Sequence, residues 1–432
     1  MNGNYQKFAE RLLQYLNDSP TAYHAVKNGA ALLEANGFRE LKETEGWSLQ
    51  AGGKYYVVKN SSAVVAFTVG KGDLAKEGFR IIGAHTDSPG LKIKPEACSV
   101  TPDGYVRVNV EVYGGAILST WFDRPLAVAG RVIVREDDGF AEKLVRIDKP
   151  LFILPNLCIH LNRDVNEKGA YNKQTDMMPL FSMKEESTQK GEYLSNLIQE
   201  ETGIEKSDMV DYELFLYEYQ KGIFTGRNQE FISASRIDDL SMVYAGLCAL
   251  VESEKEDNGY QVLAAFDNEE VGSTSAQGAN SGLLLHLLNR ICKNLDLADD
   301  EYFQAVANST FISADLAHAV HPNYSDKHDP DTRPVLGKGP VIKYSASQRY
   351  ATTARSAACF IEACGKAGVS FQKFVNRNDI PGGSTIGPAL SGLTTIPAVD
   401  MGAPILAMHS IREFGAVKDL FDTKEAFWAY YG

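Results

Sequence analysis

The stretch that most constrains how this chain can fold is residues 79–90, Phe-Arg-Ile-Ile-Gly-Ala-His-Thr-Asp-Ser-Pro-Gly. An apolar run with almost no alternation fits a strand buried on both faces of a parallel sheet, and it stops at His85 and Asp87, which share one side of an extended backbone. The same pattern occurs three more times: residues 262–266 precede Asp267-Asn268-Glu269-Glu270, residues 311–314 precede Asp315, and residues 405–408 precede His409. Ligands of open parallel sheets bind beyond the carboxyl ends of the strands, so the four runs are expected to converge their polar tips on one crevice. The predicted fold class is α/β, a mixed and mostly parallel sheet with helices on both faces, interrupted by an inserted β-rich domain.

The insertion is argued from spacing. Residues 106–112 alternate Val-Arg-Val-Asn-Val-Glu-Val, and residues 126–134 and 144–153 add short strands separated by Asp-Asp-Gly and Lys-Pro. That is an antiparallel unit with one wet face. A parallel crossover needs about a dozen residues, whereas roughly 150 separate His85 from the next strand–helix pattern at Phe231. The expected organisation is therefore 1–92 as the first part of a catalytic α/β domain, 93–230 as the insert and 231–432 as the second part. Before the insert, Phe8, Leu12, Leu13 and Leu16 recur at helical spacing, residues 19–38 read as a capped helix ending at Gly37, and residues 55–58 and 63–69 read as a hairpin.

The chemistry lies at the ends of these runs. Arg236-Ile237-Asp238-Asp239 leads into a helix predicted over residues 240–251, which places Asp238 near a helix start. Taken singly, Asp238 reads as a cap and Glu269-Glu270 as an acidic loop. Together, Asp87, Asp238, Glu269, Glu270 and Asp315 would bring five carboxylates into one crevice beside His85 and His409, a cluster that stays ionised only with cations present. Two histidines and three carboxylates make two zinc-like sites when one carboxylate bridges ions about 3.5–4 Å apart, and the other two carboxylates remain for base and orienting roles.

Composition narrows the classes. Lys plus Arg total 43 against 56 for Asp plus Glu, a net charge of -13, with no basic tract, so no nucleic-acid partner is expected. No apolar run approaches membrane-span length, and the N-terminal residues lack a signal-type apolar core. The six cysteines are scattered with no Cys-x-x-Cys, which fits reduced thiols and a cytoplasmic protein. No dinucleotide fingerprint, Walker motif or His-Glu-x-x-His is present.

His85-Thr-Asp-Ser-Pro, Arg236-Ile-Asp-Asp, Asp267-Asn-Glu-Glu-Val-Gly-Ser, Ser313-Ala-Asp-Leu-Ala-His-Ala-Val-His-Pro-Asn-Tyr and Met408-His-Ser-Ile-Arg-Glu, in this order, resemble the aspartyl-aminopeptidase (M18) family of metalloaminopeptidases. The resemblance spans essentially the whole chain and implies a fold of the zinc-exopeptidase type. It also implies that His85, Asp238 and Asp315 hold one metal and Asp238, Glu270 and His409 a second, with Asp238 bridging. Glu269 is then the general base and Asp87 orients His85. Zinc is the expected cofactor at two divalent ions per subunit, with manganese or cobalt as alternatives for such a donor set.

The insert resembles the family's oligomerisation domain, which implies a homo-oligomer, a tetrahedral dodecamer with an internal chamber that admits peptides. His160 matches a histidine that reaches a neighbouring subunit's site. Lys343 matches a lysine that binds an acidic side chain or the peptide carbonyl, and Gly383, Ser384 and Thr385 match a loop beside the substrate. The implied function is a two-metal aminopeptidase that releases N-terminal residues, acidic ones (Asp or Glu), from peptides by attack of a metal-bridging hydroxide. The alternatives are hydrolysis of acylated amino acids, a neutral or basic N-terminal preference, or a catalytically idle binding assembly.

Overall fold

The computed structural model describes residues 3–167, 169–253 and 259–432. Two compact units are present. The first comprises residues 1–87, 222–408 and 413–432, and the second residues 88–221 and 409–412.

In the first unit, the run ending at His85 forms the strand Phe79–His85, and its lack of alternation is explained by its place in the middle of a nine-stranded sheet. The strand order is Arg39–Glu40, Lys54–Lys59, Ala63–Thr68, Tyr260–Phe266, Phe79–His85, Thr310–Ala314, Ala398–Gly402, Val341–Tyr344, Gln372–Val375. Tyr260–Phe266 and Thr310–Ala314 flank the central strand, both parallel to it, and Ala398–Gly402 continues the parallel set. The hairpin of Lys54–Lys59 and Ala63–Thr68, and Val341–Tyr344 against Ala398–Gly402, are antiparallel, so the sheet is mixed.

Both faces are covered by helices. Gly3–Asp18, Ala22–Ala35, Ile237–Glu252, Ala354–Ala367 and Val417–Tyr431 pack Leu12, Leu33, Leu247, Phe360 and Phe427 into one core with Ile82, Ala84 and Leu263. Leu283–Asn294, Asp299–Asn308 and Ile386–Thr394 pack Leu284, Leu288, Val306 and Leu390 into the other with Phe79, Ile81 and Val262. Alternate residues of one strand thus enter opposite cores, as a period of two requires. Each fully buried Leu or Phe adds about 1.5–3 kcal/mol. Gly83 allows the close approach of the Thr310–Ala314 strand's side chains, since a Cβ there would lie 2.6 Å from the Phe311 ring.

Register makes the strand ends flush. Phe266 is paired with His85, and Ser313 with Gly83, so Asp267 and Asp315 leave the sheet at the level of His85 and Thr86. The fourth run behaves differently from expectation. Residues 405–408 do not continue this sheet; Pro404–Leu406 belongs to a five-stranded sheet with Ile223–Thr225, Phe231–Ala234, Ala317–His318 and Glu413–Ala416. Pro404 opens it, and a short strand beginning with proline suits a small separate sheet better than the interior of a long one.

The second unit has a six-stranded antiparallel sheet in the order Gly139–Phe152, Leu126–Glu136, Met209–Glu218, Gly90–Val100, Tyr105–Tyr113, Leu180–Met183. Val106, Val108 and Val110 are buried with Leu91, Val128, Leu216 and, from the helix Tyr193–Thr202, Leu194, while the residues alternating with them are not buried. The unit begins at Ser88 and ends at Lys221, inside the limits 93–230 at one end and beyond them at the other, and it also takes in residues 409–412. All six cysteines are free; Cys98, Cys248, Cys292 and Cys364 are buried and Cys158 is exposed. Among the described residues no helix is long and apolar enough to cross a membrane.

Candidate active site

The flush strand ends of the first unit gather the predicted polar residues. His85 is almost wholly buried, and its Nδ1 lies 3.1 Å from the Asp87 carbonyl and 3.4 Å from Asp87 Oδ1. A carbonyl accepts only, so Nδ1 carries a proton, and Nε2 faces Asp238, whose Oδ1 is 3.5 Å away. Asp238 lies in the first turn of Ile237–Glu252, where the backbone is irregular: Arg236 is left-handed and Asp238 has φ -80° and ψ 110°. Its N–H donates to Glu413 Oε2 at 2.9 Å, so a buried glutamate of the five-stranded sheet fixes the backbone that carries this carboxylate.

Asp87 connects His85 to the acidic turn. Its Oδ1 and Oδ2 accept the N–H groups of Glu269 and Glu270, each at 3.1 Å, within the short 3-10 turn Glu269–Val271. One carboxylate therefore sets both the imidazole and the two glutamates. Asp315 is held by its N–H to Met401 O at 2.9 Å, and its Oδ2 is 3.8 Å from Lys343 Nζ. Donor atoms of His85, Asp238, Asp239 and Asp315 all lie within 4.8 Å of one another, as do those of His85, Glu269 and Glu270.

Electrostatically this cluster is over-negative. Burial raises the Asp315 carboxyl, with Lys343 opposing, and raises Asp239 well above the usual carboxylate range. Glu269 is pushed up to about 7 by burial, against His85 and with Asp315, Asp87 and Asp238 adding to the rise. Burial alone would lower the His85 imidazole, yet the surrounding carboxylates, Asp239 first, hold its pKa well above the ordinary value. A carboxylate and imidazole set that crowds negative charge out of water is suited to hard or borderline divalent cations, and it fits zinc-type coordination.

His409, with φ 66°, belongs to the segment 409–412 of the second unit, where its Nδ1 is 3.2 Å from Gly115 O. His160 is exposed in the second unit, flanked by exposed Leu157, Ile159 and Leu161, and is not a packed histidine. Lys343 is only 2 % exposed; it donates to Leu316 O at 3.1 Å and faces the Tyr350 ring at 5.2 Å. Gly383 lines a cleft of about 250 Å³ with His318, His321, Arg377 and Met408. Ser384 is exposed, whereas the Thr385 hydroxyl is turned inward onto buried Asp400. Two residues escaped sequence reasoning, Asp239 and Glu413. The Asp-Asp pair and the Arg-Glu end of the last motif were the available signals, but adjacent carboxylates normally diverge and a glutamate after an arginine is ordinary surface sequence.

The profile described as aminopeptidase I zinc metalloprotease (M18) matches residues 15–431. The chain belongs to the M18 aminopeptidase family. A probable M18 family aminopeptidase 2 of Clostridium acetobutylicum is 49% identical over 430 residues, covering 99% of each chain. A probable aspartyl aminopeptidase of Ricinus communis is 40% identical, covering 97% of this chain and 94% of its own length. Among solved structures, Ape4 in its complex with Nbr1 superposes with a TM-score of 0.95 at 38% identity, over 99% of this chain and 86% of that one. The mApe1 dodecamer of S. cerevisiae superposes with a TM-score of 0.87 at 27% identity, over 99% and 97%. M18 members are metal-dependent peptide hydrolases that act as aminopeptidases, and this chain is one of them.

Proposed function

We propose that this M18 aminopeptidase uses two divalent cations, zinc in the first instance, to remove N-terminal acidic residues from peptides. The observation that carries the reading is the convergence of buried His85, Asp238 and Asp315 with Glu269 and Glu270 at flush strand ends, an over-negative group that cations would neutralise. His85, Asp238 and Asp315 would hold one ion; Asp238, Glu270 and His409 would hold the other, the last on the strength of the family motif. Bound there, the cations supply Lewis acidity that polarises the scissile carbonyl and acidifies the attacking water.

The chain's own residues do the rest. Glu269, beside His85 in the turn that Asp87 holds, is placed to accept a proton from the attacking water and return it to the departing amine. Asp87 keeps the Nδ1 proton of His85 in place and holds the Glu269 backbone, so base and ligand stay in register. Lys343 puts a positive charge beside Asp315, where it favours an acidic substrate group or a peptide carbonyl, and the aspartyl aminopeptidase relative supports that preference. Gly383, Ser384 and Thr385 form the loop proposed to border the substrate.

Assembly as a homo-oligomer, a tetrahedral dodecamer, is supported by the dodecameric relative and by Leu157, Ile159 and Leu161, whose exposed side chains around His160 suit burial against another subunit. His160 is proposed to reach that neighbour's substrate. Six free thiols suit a reducing cytoplasm. The testing experiment is release of a chromogenic amine from unblocked Glu, Asp, Leu and Lys derivatives, before and after chelation and zinc return. Zinc-restored cleavage favouring Glu and Asp is expected; a preference for Leu or Lys would discard the acidic specificity, and hydrolysis only of N-acylated derivatives would discard the aminopeptidase mechanism.

A further inference from the structure

Asp239 has no part in the roles assigned above, although it is the most enclosed carboxylate of the group at 0 % exposure. Its Oδ2 accepts the backbone N–H of His85 at 3.0 Å, joining the first turn of Ile237–Glu252 to the last residue of the central strand. Its Oδ1 is buried and has no hydrogen-bond partner among the described residues. One of its oxygens also lies within 4.8 Å of the donor atoms of His85, Asp238 and Asp315.

These facts do not describe an ordinary structural carboxylate. Buried polar atoms are nearly always paired, and a carboxylate oxygen enclosed without a donor is costly. If the only task were to fix the His85 N–H, an asparagine would perform it and leave no uncompensated charge. The feature that distinguishes Asp239 from asparagine is its negative charge, which the His85 imidazole and a cation held by its neighbours would compensate.

We propose that Asp239 is a positioning residue of the metal centre: one oxygen fixes the backbone of His85, while the other directs negative charge at the cation held by His85, Asp238 and Asp315. The proposal rests on the reading that these three residues hold a cation. Asp239 makes that site tighter for a dication without occupying a coordination position of its own.

Zinc affinity read beside metal-free stability separates the proposal from a merely structural role, which would move both. The test uses the full-length Asp239→Asn, Asp239→Glu and His85→Ala variants, with zinc affinity from competition against a chromophoric chelator, zinc content by elemental analysis, and thermal unfolding of the metal-free proteins. Asp239→Asn keeps the acceptor for the His85 N–H, so its metal-free midpoint is expected to stay close to the parent's. Its zinc affinity is expected to fall about 10- to 100-fold, the usual effect of losing a partner behind a metal ligand. Asp239→Glu keeps the charge and is expected to bind zinc more tightly than Asp239→Asn. Parent-like zinc affinity in Asp239→Asn overturns the proposal, as does weaker binding by Asp239→Glu than by Asp239→Asn. Parent-like affinity in His85→Ala would instead overturn the underlying assignment of the site.

Discussion

Asp87 is the residue on which the catalytic geometry depends most economically, because one carboxylate serves both the imidazole of His85 and the turn that carries Glu269 and Glu270. Replacing it with alanine removes two charge-assisted bonds, from Glu269 N and Glu270 N, each 3.1 Å long. A hydrogen bond to a charged group contributes about 1.5–3 kcal/mol, and these are long enough to fall at the lower end, so the two together contribute about 3 kcal/mol. The Nδ1 bond to the Asp87 carbonyl survives, since it uses backbone. The larger loss therefore falls on the turn and not on the imidazole.

From this follows a separable pair of effects. Zinc affinity should weaken about tenfold, the lower part of the range for an outer partner, because Glu270 is displaced while His85 stays oriented. At saturating zinc, kcat should still be about 100-fold low, since moving a general base by about 1 Å costs that much. Asp87→Asn keeps one acceptor but presents an NH2 group to the other backbone N–H, so it should fall between alanine and the parent. Steady-state kinetics across a zinc titration, paired with thermal unfolding in chelator, reads both. If saturating zinc restores kcat fully in Asp87→Ala, the turn does not depend on Asp87 and the reasoning fails.

Glu269→Gln preserves size, and it is expected to retain zinc and thermal stability while kcat falls about 10²- to 10⁴-fold; a rate within tenfold of the parent would remove Glu269 as the base. Gly402→Ala would place a Cβ 1.9 Å from the Asp315 carbonyl oxygen, so the strand end holding Asp315 must shift. A cost of about 1–3 kcal/mol is expected, with weaker zinc binding, and an unchanged unfolding midpoint would contradict it. Asp419 accepts the N–H groups of Gly337 at 2.6 Å and Gly339 at 2.7 Å, yet burial outweighs them and pushes its carboxyl up to about 7. Because the folded pKa is raised, the fold binds this proton more tightly than the unfolded chain, so stability is gained as pH falls below about 7 and is lost above it. The melting midpoint of the parent minus that of Asp419→Asn, in chelator, should therefore increase from pH 8 to pH 5; a constant difference would mean that Asp419 stays ionised throughout.

Much of the scaffold was legible locally. The apolarity of residues 79–84, broken only by Arg80, predicts a strand with cores on both sides, and Phe79 and Ile81 enter one core while Ile82 and Ala84 enter the other. The alternation of residues 106–112 likewise predicts the half-buried antiparallel strand Tyr105–Tyr113. His85 and Asp87 were legible as a pair because period-two geometry needs only neighbouring residues, and Glu269 because its turn follows a strand too apolar to be at an edge. The run before His409 was misplaced. Its apolarity is real, but apolarity does not say which of two sheets a three-residue strand joins.

What the sequence by itself determined is therefore the strands that end before Thr86, Asp267 and Asp315 and the polar residues at their tips, since these are written in local periodicity. Tertiary structure alone decided the rest: that register makes three strand ends flush, that Lys343 is buried beside Asp315 rather than solvated, that Glu413 fixes the Asp238 backbone, and that Asp239 joins the cluster. Each of these depends on partners separated by tens to hundreds of residues, and on burial that changes what a charge costs. Neither quantity is encoded in the immediate neighbourhood of the residue concerned; both arise only when the chain closes on itself.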